Sequence, residues 1–387
     1  MSTDRTPFVD RLLAERPSVD IATVLGTDHL PTLITGVGPG EHRVWGVSLR
    51  HEARLARRLM LGDRLPGIVT TTLQSLRRAV DRSYPLSSLP PGRRRQFEVQ
   101  GTGRVGYRPR GRALDHLGGF PTVFGVVADS RFLFARRLGT LRRLAAALPS
   151  GQCALEFLEL LALDSIQHWH MHRPEALDRA YRETDHVLEG LHERCGRRGV
   201  SFMLLADHGQ EPVFGAIPLV EGLRAARMPE ADYSRFVEPT LARFWIHGEE
   251  SRPRLTRLIS ETPHARLVAL RDLRAHGVAF DDESFGELFL VADPGWIFFP
   301  HDLYQPLQNL FRGLSDPDHH PRSLHPRLRG AHGYLPEHPS ERGFAVVTDP
   351  RVRALRPAAS LTDIAPTILR LLGETPPQYM RGEPVFE

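Results

Sequence analysis

Residues 200–209 read Val-Ser-Phe-Met-Leu-Leu-Ala-Asp-His-Gly, an apolar run that stops on Asp207 and His208. A short apolar run of this kind, closed by a turn-forming pair, reads as a buried strand. In α/β sheets ligands gather just beyond the carboxyl ends of the strands. The Asp-His pair therefore stands where an α/β protein builds its chemistry. A second stretch has the same form. Ala154-Leu-Glu-Phe-Leu-Glu-Leu-Leu-Ala-Leu163 reads as a strand and leads into Asp164-Ser165-Ile166-Gln167-His168. A third piece, His332-Gly333-Tyr334, precedes another strand-like run at 343–348. Carboxylates and imidazoles are the ligands that zinc or manganese takes, and three such pieces together point to a two-metal hydrolase site.

Working outward, strand-like and helix-like segments alternate. Phe120 to Val127 reads as a strand, Phe132 to Leu148 as a helix, Pro174 to Arg197 as a helix and 251–261 as a helix. Strands follow near 285–291, and a helix closes the chain at 361–372. This alternation predicts an α/β fold with a mostly parallel central sheet and helices on both faces. Ahead of it, Thr6-Pro7 opens a helix over Phe8–Glu15, residues 17–31 read as irregular, and Arg50–Met60 and Ile68–Val80 read as helices. The stretch 84–120 is rich in Pro, Gly and Arg and reads as a small inserted cap or loop within a catalytic domain spanning 1–387. Pro300 to Pro326 is a long loop just before the third motif, a place where long loops tend to be functional.

The chain has 387 residues, 41% hydrophobic and 25% charged, the composition of a globular protein. Its formal charge is +4, but every basic residue is Arg and Asn309 is the one asparagine, a skew that reads as codon bias. No nucleic-acid recognition motif accompanies the charge. Cys153 and Cys195 suggest neither a disulfide framework nor a thiolate metal site. The start has no signal-peptide h-region and no apolar run approaches a membrane span, so the sequence as written reads as cytoplasmic.

The order of the three motifs resembles the alkaline phosphatase superfamily, most closely its type I phosphodiesterase/nucleotide pyrophosphatase branch. Thr35-Gly36-x-x-Pro39-x-x-His42 is similar to a further family element, with Arg43 in place of its final Gly, and Asp363–Gly373 resembles the closing helix. The resemblance spans about residues 5 to 385, apart from 50–120. It implies an alkaline phosphatase-like fold and two divalent ions, zinc or manganese. Asp164, His168 and His332 would hold one, and Asp207 with His208 the other. The substrate would be a small-molecule phosphate ester. His42 and Pro39 would shape the turn after the nucleophile helix rather than take part in the chemistry.

The resemblance further implies a Thr or Ser nucleophile about ten residues before the Gly of Thr-Gly, forming a covalent phospho-enzyme. That slot holds Gly26, with Thr27 beside it and Thr23 one turn earlier. Thr27 is the preferred nucleophile. Relatives also carry a metal-ligating Asp at the end of a first strand ahead of the Thr-Pro helix, and no such strand precedes residue 6 here. Two functions follow. The first is a metal-dependent phosphohydrolase of phosphodiesterase type. The alternative is a catalytically weak or inactive homologue acting as a binding or scaffold protein.

Overall fold

The computed structural model describes residues 5–46, 49–50, 97–98, 114–229, 231–304, 314 and 327–386. The helices expected over Arg50–Met60 and Ile68–Val80, and most of the 84–120 insertion and of the loop before the third motif, lie outside the described residues.

The first helix, α1 (Pro7–Glu15), starts where Thr6-Pro7 predicts, and buries Phe8 and Leu12. Strand β1 (Ser18–Ala22) follows, with Val19 and Ile21 buried between exposed neighbours. Helix α2 (Leu30–Thr35) ends on left-handed Gly36, and the single turn α3 (Pro39–His42) comes after it. Next are β2 (Ser130–Phe134), α4 (Leu138–Ala146), β3 (Leu155–Glu159), α5 (Leu161–His170) and the 24-residue α6 (Pro174–Arg197). Strand β4 (Met203–Ala206) carries the run that opened the analysis. A separate unit holds β5 (Tyr233–Val237), β6 (Leu241–Ile246), α7 (Arg252–Ser260), β7 (Ala265–Ala269) and β8 (Leu288–Ala292). The chain closes with β9 (Gly343–Val347), β10 (Ala359–Ser360) and α8 (Ile364–Leu371).

The expected α/β fold is present, and the sheet expected to be mostly parallel contains both strand directions. The main sheet runs β10-β1-β9-β4 and is mixed. Strand β9 is antiparallel to both neighbours, pairing Val19 with Ala345 and Ala206 with Phe344, whereas β1 and β10 are parallel. Strands β2 and β3 form a separate parallel pair with Phe132 opposite Phe157. Helices do cover both faces. Ala345 packs with α8 residues Ile364 and Leu369, while its neighbour Val346 packs with Phe8 of α1 and Leu188 of α6. Successive strand residues face opposite sides, so α8 lies on one face and α1 with α6 on the other. The second unit is an antiparallel sheet, β5-β6-β8-β7, whose strand β6 is buried throughout.

Local differences have local reasons. Phe120–Val127 is not one strand: Phe120–Pro121 pairs with His116–Leu117, but Val123–Val126 forms a helical turn behind Thr122, whose hydroxyl accepts from the Phe124 N–H. The strand lies instead at β2, because Phe132 and Phe134 belong to it and not to the following helix. The irregular reading of 17–31 missed β1, a strand of only five residues. The apolar run 154–163 divides at Leu160, so Asp164 and His168 stand on helix α5 and not directly on a strand end.

Candidate metal centre

Two ligand groups arise from the helix period. Asp164 and His168 are four residues apart on α5, hence on one face, with His168 Nε2 3.3 Å from Asp164 Oδ1. His168 Nδ1 lies 2.8 Å from the Gly330 carbonyl, which holds the ring so that Nε2 faces the carboxylate. Gln210 Nε2 donates to Asp164 Oδ1 at 2.5 Å. Asp207 and His208 follow β4 at once, and His208 Nδ1 is 2.8 Å from the Gly209 carbonyl. The third motif is tied to the second by a short ladder in which Gly330 faces Pro212 and Ala331 faces Glu211. That ladder delivers His332 against His208, with the rings stacked 3.7 Å apart at 14°. His332 Nε2 reaches within 3.6 Å of Asp164 Oδ1.

Two compact sets of potential ligand atoms result, each within 4.8 Å: Asp164, His208 and His332, and His29, Asp207 and His208. The five anticipated ligands thus converge, although in the groups formed His208 belongs to both sets and His168 stands beside the first. His170 and His172 join neither set among the described residues. His29 was not anticipated. It follows Gly-Thr-Asp without any ligand spacing, and its one sequence signal is its place just ahead of α2. The buried ring sits 3.8 Å from Asp207 Oδ2 through Nδ1, and Nε2 lies 3.0 Å from the Val24 carbonyl.

The electrostatics suit a cation. Burial, then the neighbouring carboxylate of Asp207, pushes Asp28 up to about 7. Burial, followed by Asp28, Asp207 and Asp164, pushes Glu159 up to about 8. Burial and the nearby His208 hold His29 down at about 4, and burial with His208, His168 and His29 holds His332 well below its ordinary value. Those imidazoles are neutral at pH 7, the form in which they ligate metal. Burial also acts to lower His208, but Asp207 and Asp164 outweigh it and the net shift is upward. Several atoms here have no hydrogen-bond partner among the described residues: Asp28 Oδ2, His29 Nδ1, Glu159 Oε2 and His332 Nδ1. Crowded carboxylates and unpartnered ring nitrogens fit divalent cations.

The nucleophile region is shaped by a tryptophan. Gly26 has φ +130, and a Cβ there would stand 2.6 Å from Trp45 Nε1. No side chain fits at 26, so a hydroxyl must come from elsewhere. Thr27 lies in the bend before α2 rather than on the helix, on the wall of the central cavity, with its Cγ2 facing Gly333. Its hydroxyl stands beside the buried carboxylate of Glu238. Thr23 is buried, is absent from that wall, and its Oγ1 has no partner among the described residues. Glu238 in turn pairs with Arg243 at 3.1 Å, both side chains almost wholly buried.

A model of the type I phosphodiesterase / nucleotide pyrophosphatase family matches residues 1–335. The chain belongs to this family. Its members are phosphoric ester hydrolases, and the alkaline phosphatase-superfamily resemblance read from the motifs holds. Human ectonucleotide pyrophosphatase / phosphodiesterase 5 has a similar structure, with TM-score 0.60 and 14% identity over 98% of this chain and 92% of that one. The murine protein of the same name, solved as an inactive variant in complex with AMP, gives TM-score 0.57 and 16% identity over 96% and 90%. No curated protein matches the sequence. The fold is therefore that of this group. Among the described residues no helix is long and apolar enough to cross a membrane.

Three large aromatic side chains are engaged in packing. Trp169 and Phe298 are core, and Trp296 stacks on His264 at 3.6 Å with Phe214 at its edge. His42 is fully buried, with Nδ1 accepting from the Val44 N–H and Nε2 3.1 Å from Thr32 Oγ1. It braces the turn after α2.

Proposed function

We propose that this chain is a two-metal phosphohydrolase of phosphodiesterase type acting on a small phosphate ester, with Thr27 as nucleophile. The observation that carries the reading is the pair of ligand sets sharing His208. Asp164, His168 and His332 would hold one cation, and His29, Asp207 and His208 the other, with zinc the first candidate and manganese the second. Two such ions, when bound, neutralise phosphoryl oxygens and lower the pKa of a nucleophilic hydroxyl.

The chain's own residues supply the rest. The carboxylate of Glu238 beside the Thr27 hydroxyl is placed to orient Oγ1, which would favour attack by fixing the reacting atom. Burial raises the Glu238 carboxyl above its ordinary value, and the neighbouring Arg243 opposes that rise. The ring nitrogens of His168 and His208 turned away from the centre are tied to carbonyls, so the ligand-facing nitrogens are preset. The structural relative bound to AMP makes nucleotides the first substrate class to try.

A binding or scaffold role is the second reading, favoured by the displacement of the hydroxyl from position 26, where Trp45 leaves no room. One experiment separates the two: nitrophenyl mono- and diesters assayed with zinc, with manganese and with no added metal. Metal-dependent turnover supports the enzyme. Tight metal binding with no turnover of any ester favours the binding role.

A further inference from the structure

The imidazoles of the candidate centre are not all held alike. The rings of His168 and His208 are each tied through Nδ1 to a main-chain carbonyl, of Gly330 and Gly209, at 2.8 Å. The His332 ring has no such tie. Its Nδ1 has no hydrogen-bond partner among the described residues, and its Nε2 lies 3.6 Å from Asp164 Oδ1. A ligating histidine needs its ring oriented by the groups around it. For His332 that restraint has to act through the main chain that carries the ring.

The restraint falls on one peptide group, the one joining His332 to Gly333. Its carbonyl accepts from the Thr240 hydroxyl at 2.9 Å, and its N–H donates to both carboxylate oxygens of Glu341, at 3.0 Å each. In a trans peptide the carbonyl and the N–H point in opposite directions, so the two side chains hold the plane from opposite sides. The hold matters because Gly333 is at φ +87, where glycine is free to turn. Thr240 is fully buried and Glu341 is 1% exposed, and neither belongs to a ligand set.

Both holders stand on braced turns. In the turn between β5 and β6, the Glu238 N–H donates to the Leu241 carbonyl at 2.8 Å, the Phe298 N–H to the Pro239 carbonyl at 2.7 Å and the Ala292 N–H of β8 to the Thr240 carbonyl at 2.9 Å. Glu341 ends the short turn Pro339–Glu341, whose Ser340 carbonyl accepts from the Gly209 N–H at 2.8 Å. That one turn therefore fixes the residue after His208 and the residue after His332, the two histidines whose rings stack. Ligands supported by fixed elements keep their geometry better than ligands on free loops.

We propose that Thr240 and Glu341 are positioning residues of the metal centre, which set the His332 ring by holding the His332–Gly333 peptide plane from both sides. The proposal rests on the reading of His332 as a metal ligand.

The test is zinc affinity, resolved by equivalent through competition with a chromophoric chelator, on the full chain and its variants. Thr240→Val keeps the shape and removes the donor. It should weaken one equivalent by about 10–100-fold and spare the other, and Thr240→Ser should restore most of the loss. Glu341→Gln, with one acceptor oxygen in place of two, should weaken the same equivalent less. In a His332→Ala background, Thr240→Val should leave the remaining equivalent unchanged. Equal weakening of both equivalents, a Thr240→Ser variant as weak as Thr240→Val, or a lowered urea midpoint of the metal-stripped chain with unchanged zinc affinity marks a purely structural role and overturns the proposal. If His332→Ala loses one equivalent while Thr240→Val and Glu341→Gln bind as the parent does, the positioning role alone falls. If the parent takes up no zinc, or His332→Ala keeps both equivalents, the ligand reading falls and this proposal with it.

Discussion

The rings of His208 and His332 lie face to face, 3.7 Å apart and 14° from parallel. This contact makes one centre of two motifs that the sequence keeps far apart. It also places His208 within reach of both potential ligand sets.

Metal retention tests the two sets. Asp164→Ala, His332→Ala and His208→Ala should each lose about one equivalent. Chelation should lower the melting temperature, as removal of a ligand bound only by the folded state requires; at 100 times Kd that stabilisation is about 2.7 kcal/mol. Elemental analysis of the purified variants checks it, and unchanged metal in Asp164→Ala and His332→Ala would refute the assignment.

The nucleophile is tested by paired substitutions. Thr27→Ala should cost at least ~100-fold in turnover of whichever ester proves active. Thr23→Ala, away from the cavity wall, should cost little. The reverse pattern in steady-state kinetics would move the assignment to Thr23.

The buried Glu238–Arg243 pair should be costly to break. Removing one partner strands the other charge in the interior, so Arg243→Met should destabilise the fold by about 3–5 kcal/mol. Urea unfolding of the variant measures this. A loss below about 1 kcal/mol would mean that the remaining Glu238 takes up a proton at little cost.

His42 gives a pH dependence away from the metal centre. Burial lowers it to about 3, below its ordinary 6.5. The unfolded chain therefore binds the extra proton first, and the stability His42 contributes is present above about pH 6.5 and lost as pH falls toward 3. Compared with His42→Gln, the parent should lose stability more steeply between pH 6 and pH 4, by up to about 1.4 kcal/mol per pH unit. Urea midpoints across that range decide it, and parallel slopes would contradict the burial argument.

Gly40 reports on how α3 meets the second unit. A Cβ at this position would lie 1.7 Å from the Ala279 carbonyl oxygen, a backbone atom that cannot swing aside. Gly40→Ala should cost about 1–3 kcal/mol by overpacking, whereas Gly38→Ala, with open space around it, should be mild. Thermal melts of the two variants provide the comparison.

The sequence by itself determined the family and the order of its three motifs, because each motif is a short local unit joined to a strand or helix start. Helix α6 was legible end to end, since its apolar period and the Pro at its first position are local features. The split of 154–163 was not, because an apolar run suits a strand or a buried helix equally well until packing chooses. Tertiary structure alone decided that His29 joins Asp207, that Trp45 excludes a side chain at Gly26, and that Glu238 comes to lie beside Thr27. It also decided that β9 runs against both its neighbours. Each of these depends on contacts between residues distant in the chain, and neither periodicity nor spacing records which faces will meet. Buried charges such as Arg243 are the sharpest case: in sequence they look like surface residues, and only the partner that accompanies them into the interior shows otherwise.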